Sequence, residues 1–136
     1  MASGPPDSQS TLQVAVVDDD AGVRGALGRL LRVTGYKVET YASAEEFLAS
    51  GRPTELDCLV ADVYLSGMSG SDLHNELITG GQAPPTILIT AHDDAAITAM
   101  LRRSEGLMCL RKPFDDDSLL FAIGCVTGHL GEAEGR

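Results

Sequence analysis

Four apolar runs of this sequence are each followed by residues whose side chains could bind a cation and a phosphoryl group. The runs and the polar residues after them are 12–17 with Asp18, Asp19 and Asp20; 56–61 with Asp62; 86–89 with Thr90; and 107–110 with Lys112. If the runs are parallel strands, these groups meet at the carboxyl edge of one sheet, where open α/β folds bind ligands. Acidic side chains, a hydroxyl and an ammonium gathered there suit a divalent cation together with a phosphoryl group.

The segments between these runs alternate between helix-like and strand-like patterns. Residues 37–41 alternate like a short, half-exposed strand and complete a set of five expected strands. Helices are expected from near Ala21 to Gly35, from Ser43 to about Ser50, from about Ser69 to Thr79, from Asp94 to Ser104, and from near Asp115 to about Leu130. This alternation with short links predicts an α/β fold in which helices cover both faces of a parallel sheet.

Local signals predict where helices begin and which faces they bury. Asp20 is suited to cap the first helix, Gly35 to end it in a left-handed conformation, and Ser43 with Glu46 to form a capping box. The apolar residues expected on buried faces are Leu73, Leu77 and Ile78 in the third helix and Leu119, Ile123, Val126 and Leu130 in the fifth. His74 and His129 are expected on solvated helix faces. The acidic run 115–117 matches the dipole at the start of the last helix.

Length and composition favour one globular domain. The 136 residues suffice for a single hydrophobic core, and we expect a domain over 11–131 with a disordered leader over 1–10 and a disordered tail over 132–136. Only six residues follow Leu130, so no output domain is expected after it. No apolar run is long enough to span a bilayer, and the first residues lack the pattern of a secretory signal. A cytoplasmic protein is therefore expected.

Charge and cysteine content exclude two other classes of function. The formal net charge is −10 and the sequence pI is about 4.5, with the arginines dispersed, so direct nucleic-acid binding by this chain is not expected. Cys58, Cys109 and Cys125 form no CxxC pair, and two of them lie inside apolar runs. Buried thiols in a reducing compartment are therefore expected, and no metal or redox site built on cysteine.

Taken in order, the motifs resemble those of a response-regulator receiver domain, the phosphoacceptor module of two-component signalling. The resemblance covers about Leu12 to Leu130 and rests on residues 17–20, Asp62 with Met68-Ser69-Gly70, residues 89–91, and Lys112-Pro113-Phe114. Each motif is weak alone, but four in order at strand ends and at family spacing are specific. The residues of the first and last motifs are most similar to those of receivers that, in other proteins, precede DNA-binding output domains. The resemblance implies a flavodoxin-like sheet with strand order 2-1-3-4-5.

The resemblance also implies a role for each site residue. Asp62 would be the phosphoacceptor, with Thr90 and Lys112 contacting the phosphoryl oxygens. The implied ligands of a Mg²⁺ ion are Asp18, Asp19, Asp62 and the backbone carbonyl of Tyr64. The backbone N–H groups of Val63 and Ala91 are further candidate donors. The expected activity is that of a regulator rather than an enzyme, with at most self-phosphorylation and self-dephosphorylation.

The sequence departs from the family pattern at two positions. Cys109 stands where receivers usually carry an aromatic residue in the fifth strand, so the usual relay to the surface around the fourth helix is weakened. Ser66 stands where the loop after the phosphoacceptor often carries proline, which predicts a looser loop. Tyr64 and His92 occupy the positions that influence the lifetime of the phosphoryl group. Tyr64 could screen the group from water, whereas His92 could orient a water towards it.

A phosphohistidine on a histidine kinase or a phosphotransfer protein is the expected phosphoryl donor. The expected surface for a dimer mate or output partner combines the fourth helix, the fifth strand and the fifth helix. Its expected apolar residues are Ile97, Met100, Leu101 and Leu119 or Leu120. The chain itself is not expected to bind nucleic acid or a membrane.

Other classes of function remain open on the residues alone. Cys109 motivates a pseudo-receiver that binds a partner without being phosphorylated. The spacing of Asp18 and Asp20 is that of an Asp-dependent phosphohydrolase, although Gly22 follows Ala21 and no substrate cap is visible. Flavodoxin-like cofactor binding is least favoured because no phosphate-binding loop of Ser, Thr and Gly follows the first strand. Mapping the phosphorylated aspartate separates the receiver from the hydrolase.

Overall fold

The computed structural model describes residues 11–51, 55–91, 95–103 and 106–128. Within these ranges five parallel strands form one sheet in the order β2-β1-β3-β4-β5. The strands are β1 (Gln13–Val17), β2 (Lys37–Tyr41), β3 (Cys58–Asp62), β4 (Thr86–Thr90) and β5 (Leu107–Arg111). The helices are α1 (Ala21–Thr34), α2 (Ala44–Ala49), α3 (Gly70–Thr79), α4 (Ala95–Arg103) and α5 (Asp116–Thr127). The predicted fold class, strand order and placement of all five strands are confirmed.

The apolar runs form the inner strands of the sheet, because strands that are covered by helices on both faces require mostly apolar side chains. Every residue of β3 and β4 is buried, and β1 is buried from Val14 onwards. In contrast, β2 alternates between exposed and half-buried residues because it lies at one edge of the sheet. Cys58 faces this core, and burial raises the pKa of its thiol to about 12. Cys58 is therefore an inert thiol at neutral pH.

Helices cover both faces of the sheet and divide the core into two clusters. The cluster beneath α2, α3 and α4 includes Phe47, Leu73, Leu77 and Met100. The cluster beneath α1 and α5 includes Leu27, Leu31, Leu119 and Ile123. No helix in the described ranges is long and apolar enough to cross a membrane.

The predicted starts of α1, α2, α3 and α5 are confirmed by their capping hydrogen bonds, whereas α5 ends at Thr127 and not near Leu130. The side chains of Asp20, Ser43, Ser69 and Asp115 each accept a backbone N–H from the first turn of the helix that follows. Gly35 has a φ of 114° and ends α1 in the left-handed region. These bonds fix where each helix leaves the carboxyl edge of the sheet.

Several predicted exposures are wrong because the helices are rotated differently against the sheet from what sequence spacing suggests. His74, expected on a solvated face, is only 2% exposed, and Ile78, expected to be buried, is 45% exposed. Ile97, Met100 and Leu119 were expected on a partner surface but lie in the core. Among the cysteines, Cys58 is buried as predicted, Cys109 is partly buried and Cys125 is exposed. The predicted leader and tail, and the predictions for His92, Asp94, Ser104, His129 and Leu130, lie outside the described residues.

Gly70 at the start of α3 lies against the strand end that carries Asp62. A Cβ at position 70 would lie 2.3 Å from the carbonyl oxygen of Asp62 and 3.1 Å from the Cα of Val63. These neighbours are backbone atoms that cannot turn away, so only glycine lets α3 begin this close to the site.

We predict that Gly70→Ala lowers the free energy of unfolding by about 1–3 kcal/mol, because backbone has to move to admit the methyl group. Gly25→Ala is the matched control, since the nearest atom to its Cβ is the end of the flexible Arg29 side chain at 3.5 Å. Gly25 lies within α1, where alanine should raise the free energy of unfolding by roughly 0.5–1 kcal/mol. Urea unfolding of both variants tests whether Gly70→Ala destabilises the protein and Gly25→Ala stabilises it. Equal effects of the two substitutions would contradict the crowding at Gly70.

Candidate phosphoacceptor site

Strand register brings the predicted site residues to one edge of the sheet. Val17 pairs with Ala61, Asp62 with Ile89, and Thr90 with Arg111. Asp18 follows β1, Asp62 ends β3 and Lys112 follows β5, all at nearly the same height, with β4 between β3 and β5. The backbone N–H of Lys112 donates to the carbonyl oxygen of Thr90 at 2.8 Å, which fixes the start of the lysine side chain beside the threonine.

An ion pair joins the proposed phosphoacceptor to the lysine. Lys112 Nζ lies 3.0 Å from Asp62 Oδ2, and the backbone N–H of Tyr64 donates to Asp62 Oδ1 at 2.9 Å. Both carboxylate oxygens of Asp62 are thus oriented by donors. The Asp62 side chain is 10% exposed and that of Lys112 37% exposed, so an attacking or departing group can reach this pair from solvent.

The pKa of Lys112 reflects the surrounding acids. Burial acts to lower its pKa, but the hydrogen bond to Asp62 and the negative charges of Asp62, Asp18 and Asp20 outweigh that effect and raise it. Lys112 therefore remains an ammonium at neutral pH. It is a fixed positive charge at the point where a phosphoryl oxygen would lie.

Asp18 is the buried acid of the site. It is 2% exposed, its Oδ1 accepts the backbone N–H of Asp20 at 2.9 Å, and Arg24 donates to its carbonyl oxygen at 2.7 Å. Its Oδ2 is buried and has no hydrogen-bond partner in the described part of the chain. Burial, followed by the negative charge of Asp62, raises the pKa of Asp18 even though the Asp20 hydrogen bond opposes it.

Asp19, by contrast, is exposed and turned towards the loop that follows β3. The backbone N–H and the hydroxyl of Ser66 both donate to Asp19 Oδ2, each at 3.0 Å. These two hydrogen bonds hold the pKa of Asp19 below its usual value. A second tie holds the same loop, since the N–H of Met68 donates to Glu45 Oε2 at 3.0 Å. The loop is therefore anchored at two points, contrary to the expectation that Ser66 leaves it loose.

The donor set fits a hard divalent cation. Asp18 offers a buried carboxylate oxygen without a partner among the described residues, and a cation would supply the positive charge that this oxygen lacks. Carboxylate and carbonyl oxygens are the ligands that Mg²⁺ prefers. In the described ranges no three His, Cys, Asp or Glu side chains are already gathered as a set of metal ligands. The Oδ2 atom of Asp19 accepts two hydrogen bonds from Ser66.

One predicted donor is wrong. The N–H of Val63 is engaged in the sheet, where it donates to the carbonyl oxygen of Ile89 at 2.8 Å. The N–H of Tyr64, one residue further on, is the group directed at the Asp62 carboxylate. Strand pairing explains the difference, because the pairing of β3 with β4 extends one residue beyond Asp62.

Sequence reasoning also missed two residues that shape the site. Ser66 was noted only as a departure from proline, although it binds Asp19. Gly70 was noted only as part of a motif, although its missing side chain makes room for the Asp62 carbonyl. A serine or a glycine in a loop gives no local signal of a contact made across the fold. Cys109, at the usual aromatic position, packs partly buried against the core cluster beneath α4.

Comparison with known proteins assigns the chain to a family. The family model for the response regulator receiver domain matches residues 14–124, and this chain belongs to that family. It is 36% identical to the transcriptional regulatory protein FixJ of Azorhizobium caulinodans over 93% of this chain and 59% of that protein. It is 37% identical to nodulation protein W of Bradyrhizobium diazoefficiens over 91% of this chain and 55% of that protein. The chain thus spans a little over half the length of these relatives.

Solved structures agree with this assignment. A response regulator receiver protein from Burkholderia phymatum is 40% identical, with a TM-score of 0.70 and coverage of 87% of this chain and 96% of that one. The response regulator StyR is 38% identical, with a TM-score of 0.77 and coverage of 93% and 64%. Members of this family are generally signalling proteins rather than enzymes in the ordinary sense.

We predict that Asp18→Asn raises the free energy of unfolding at pH 7 in buffer free of divalent cations, by on the order of 1 kcal/mol, because a buried charge is removed. The folded-state pKa of Asp18 lies above its unfolded value of 3.8, so wild-type stability falls as pH rises through the folded pKa. The advantage of the variant should therefore shrink as pH is lowered towards 3.8.

Urea unfolding across this pH range measures the difference between Asp18→Asn and the wild type. Asp117→Asn removes one negative charge at an exposed position and controls for net charge. A variant at position 18 that is less stable than the wild type at every pH would show that burial of this charge costs nothing.

Proposed function

We propose that this domain accepts a phosphoryl group from a phosphohistidine onto Asp62 and passes the changed state to a partner. The observation that supports it most is the 3.0 Å ion pair between Lys112 Nζ and Asp62 Oδ2, at the strand ends where Asp18 and Thr90 also lie. A receiver needs a nucleophilic carboxylate, a nearby cation and room for an incoming anion. The proposed domain runs over 11–131.

The chain's own groups prepare Asp62 for this step. The Tyr64 N–H and the Lys112 ammonium orient its two oxygens, which leaves little reorganisation for the attack. One carboxylate oxygen bonds to phosphorus while the P–N bond of the phosphohistidine breaks. The imidazole nitrogen keeps the bonding electron pair and takes up a proton. The product is an acyl phosphate on Asp62, and Lys112 then pairs with a phosphoryl oxygen.

Mg²⁺ would be held by Asp18, Asp19, Asp62 and the backbone carbonyl of Tyr64. When bound, it neutralises the repulsion between the carboxylates and the incoming phosphoryl anion. Asp18 would contribute a buried carboxylate oxygen. Thr90, which is 3% exposed, would contribute a hydroxyl at the end of β4. The Mg²⁺ held by the acids and the ammonium of Lys112 would thus share the neutralisation of the phosphoryl charge.

Signalling would proceed through a surface made by α4, β5 and α5. The apolar residues that can serve a partner there differ from those expected from the sequence. Phe121 is 54% exposed and borders a groove of about 400 Å³ with Met108 and Leu110, whereas Ile97, Met100 and Leu119 are buried. A histidine kinase or phosphotransfer protein in the cytoplasm would be the donor. The partner would be a dimer mate or an output domain.

We predict that incubation with acetyl phosphate and Mg²⁺ adds one phosphoryl group to the wild type and none to Asp62→Asn, because only the carboxylate can form the acyl phosphate. Intact mass and peptide mapping give the readout, and the adduct should be lost in base. Asp57→Asn is the matched control. Asp57 lies next to the other end of β3, and its carboxylate accepts the Gln13 N–H, a hydrogen bond that asparagine can also accept. An adduct that persists in Asp62→Asn would end the proposal.

We also predict that Mg²⁺ stabilises the wild type against urea by RT ln(1 + [Mg²⁺]/Kd), about 2.7 kcal/mol at a hundredfold excess over Kd. Asp18→Asn should lose most of this gain while starting from higher stability without the metal. Asp57→Asn should keep it. A wild type whose stability is unchanged by Mg²⁺, or a gain that is equal in Asp18→Asn, would contradict the proposed metal ligands.

A further inference from the structure

The loop after β3 binds one of the proposed metal ligands. Two donors of one residue, the backbone N–H and the hydroxyl of Ser66, converge on the same oxygen, Asp19 Oδ2, at 3.0 Å each. A carboxylate oxygen has two lone pairs in its plane, so both are used. The Asp19 oxygen that faces the loop therefore has no remaining lone pair for a cation while these bonds exist.

The loop presents Ser66 to Asp19 because it is fixed on its other side. Gly67 adopts a φ of 77°, and the next residue, Met68, donates its N–H to Glu45 Oε2 at 3.0 Å. A Cβ at position 67 would lie 2.9 Å from the same glutamate oxygen. Ser66 is thus held between the end of β3 and the Glu45 anchor, and it does not simply follow Asp19 when that side chain moves.

We propose that Ser66 is a positioning residue that competes with the metal for Asp19. The inference rests on the proposed function and adds that a cation binding at Asp19 Oδ2 has to displace the Ser66 hydrogen bonds. Asp18 and Asp62 are buried beside each other's charge, whereas Asp19 is exposed and bound to the loop. Cation affinity and the position of the loop are then coupled.

Calorimetric titration with Mg²⁺ tests the competition directly. Ser66→Ala removes the hydroxyl bond and should bind Mg²⁺ about three- to tenfold more tightly than the wild type, as expected for the loss of one competing hydrogen bond. Ser66→Thr keeps a hydroxyl and should bind like the wild type. Ser71→Ala, a serine at the start of α3 that makes no bond to Asp19, is the matched control.

Amide exchange of the wild-type protein gives a second readout that needs no substitution. Saturation with Mg²⁺ should speed exchange of the Ser66 N–H, which loses its acceptor, and leave the Met68 N–H unchanged, because Glu45 remains its acceptor. A Ser66 amide that stays equally protected would overturn the inference. Affinity in Ser66→Ala that is equal to or weaker than that of the wild type would also overturn it.

These results separate the inference from the proposed function. If Ser66→Ala has unchanged Mg²⁺ affinity while Asp62 is still phosphorylated, the competition is wrong and the receiver function stands. If neither the wild type nor Ser66→Ala binds Mg²⁺ and no adduct forms at Asp62, both are overturned. Tighter binding in Ser66→Ala with faster Ser66 exchange in the wild type supports the competition.

Discussion

The ion pair between Lys112 and Asp62 depends on strands that end at the same height. Asp62 closes β3, and Lys112 lies one residue beyond β5, on the far side of β4. A parallel register that placed Lys112 one residue earlier would turn its side chain to the other face. The pair therefore requires the register of three strands at once. Without the ammonium, Asp62 would lose its ion-pair partner and the buried Asp18 would lose a nearby positive charge.

The burial of Asp18 close to the charge of Asp62 is unfavourable for the protein alone. Burial disfavours the charged form of Asp18, and the negative charge of Asp62 adds to that cost. The fold tolerates this unfavourable energy because the two core clusters on either side of the sheet stabilise it. A cation bound beside these acids would offset this unfavourable energy. Binding and stability are therefore linked at this edge.

The β3–α3 loop contacts both the site acids and two helices. Ser66 bonds to Asp19, Met68 bonds to Glu45 at the start of α2, and Gly70 begins α3 against the Asp62 carbonyl. A shift of this loop would therefore reach α2 through the Glu45 side chain and α3 through its first residue. This route does not pass through the position of Cys109, where an aromatic residue is usual in the family.

Sequence patterns were sufficient for the features that depend on neighbouring residues. Burial on both faces makes β1, β3 and β4 continuous apolar runs, and caps such as Asp20 and Gly35 act within a few residues. The site acids were found because parallel strands place their ends together. Tertiary structure decided the rest. The exposure of Ile78 and the burial of His74 depend on how α3 is rotated against the sheet, which spacing alone fixes poorly. The contact between Asp19 and Ser66 joins residues 47 positions apart, and a serine side chain carries no local sign of a partner that only folding brings near.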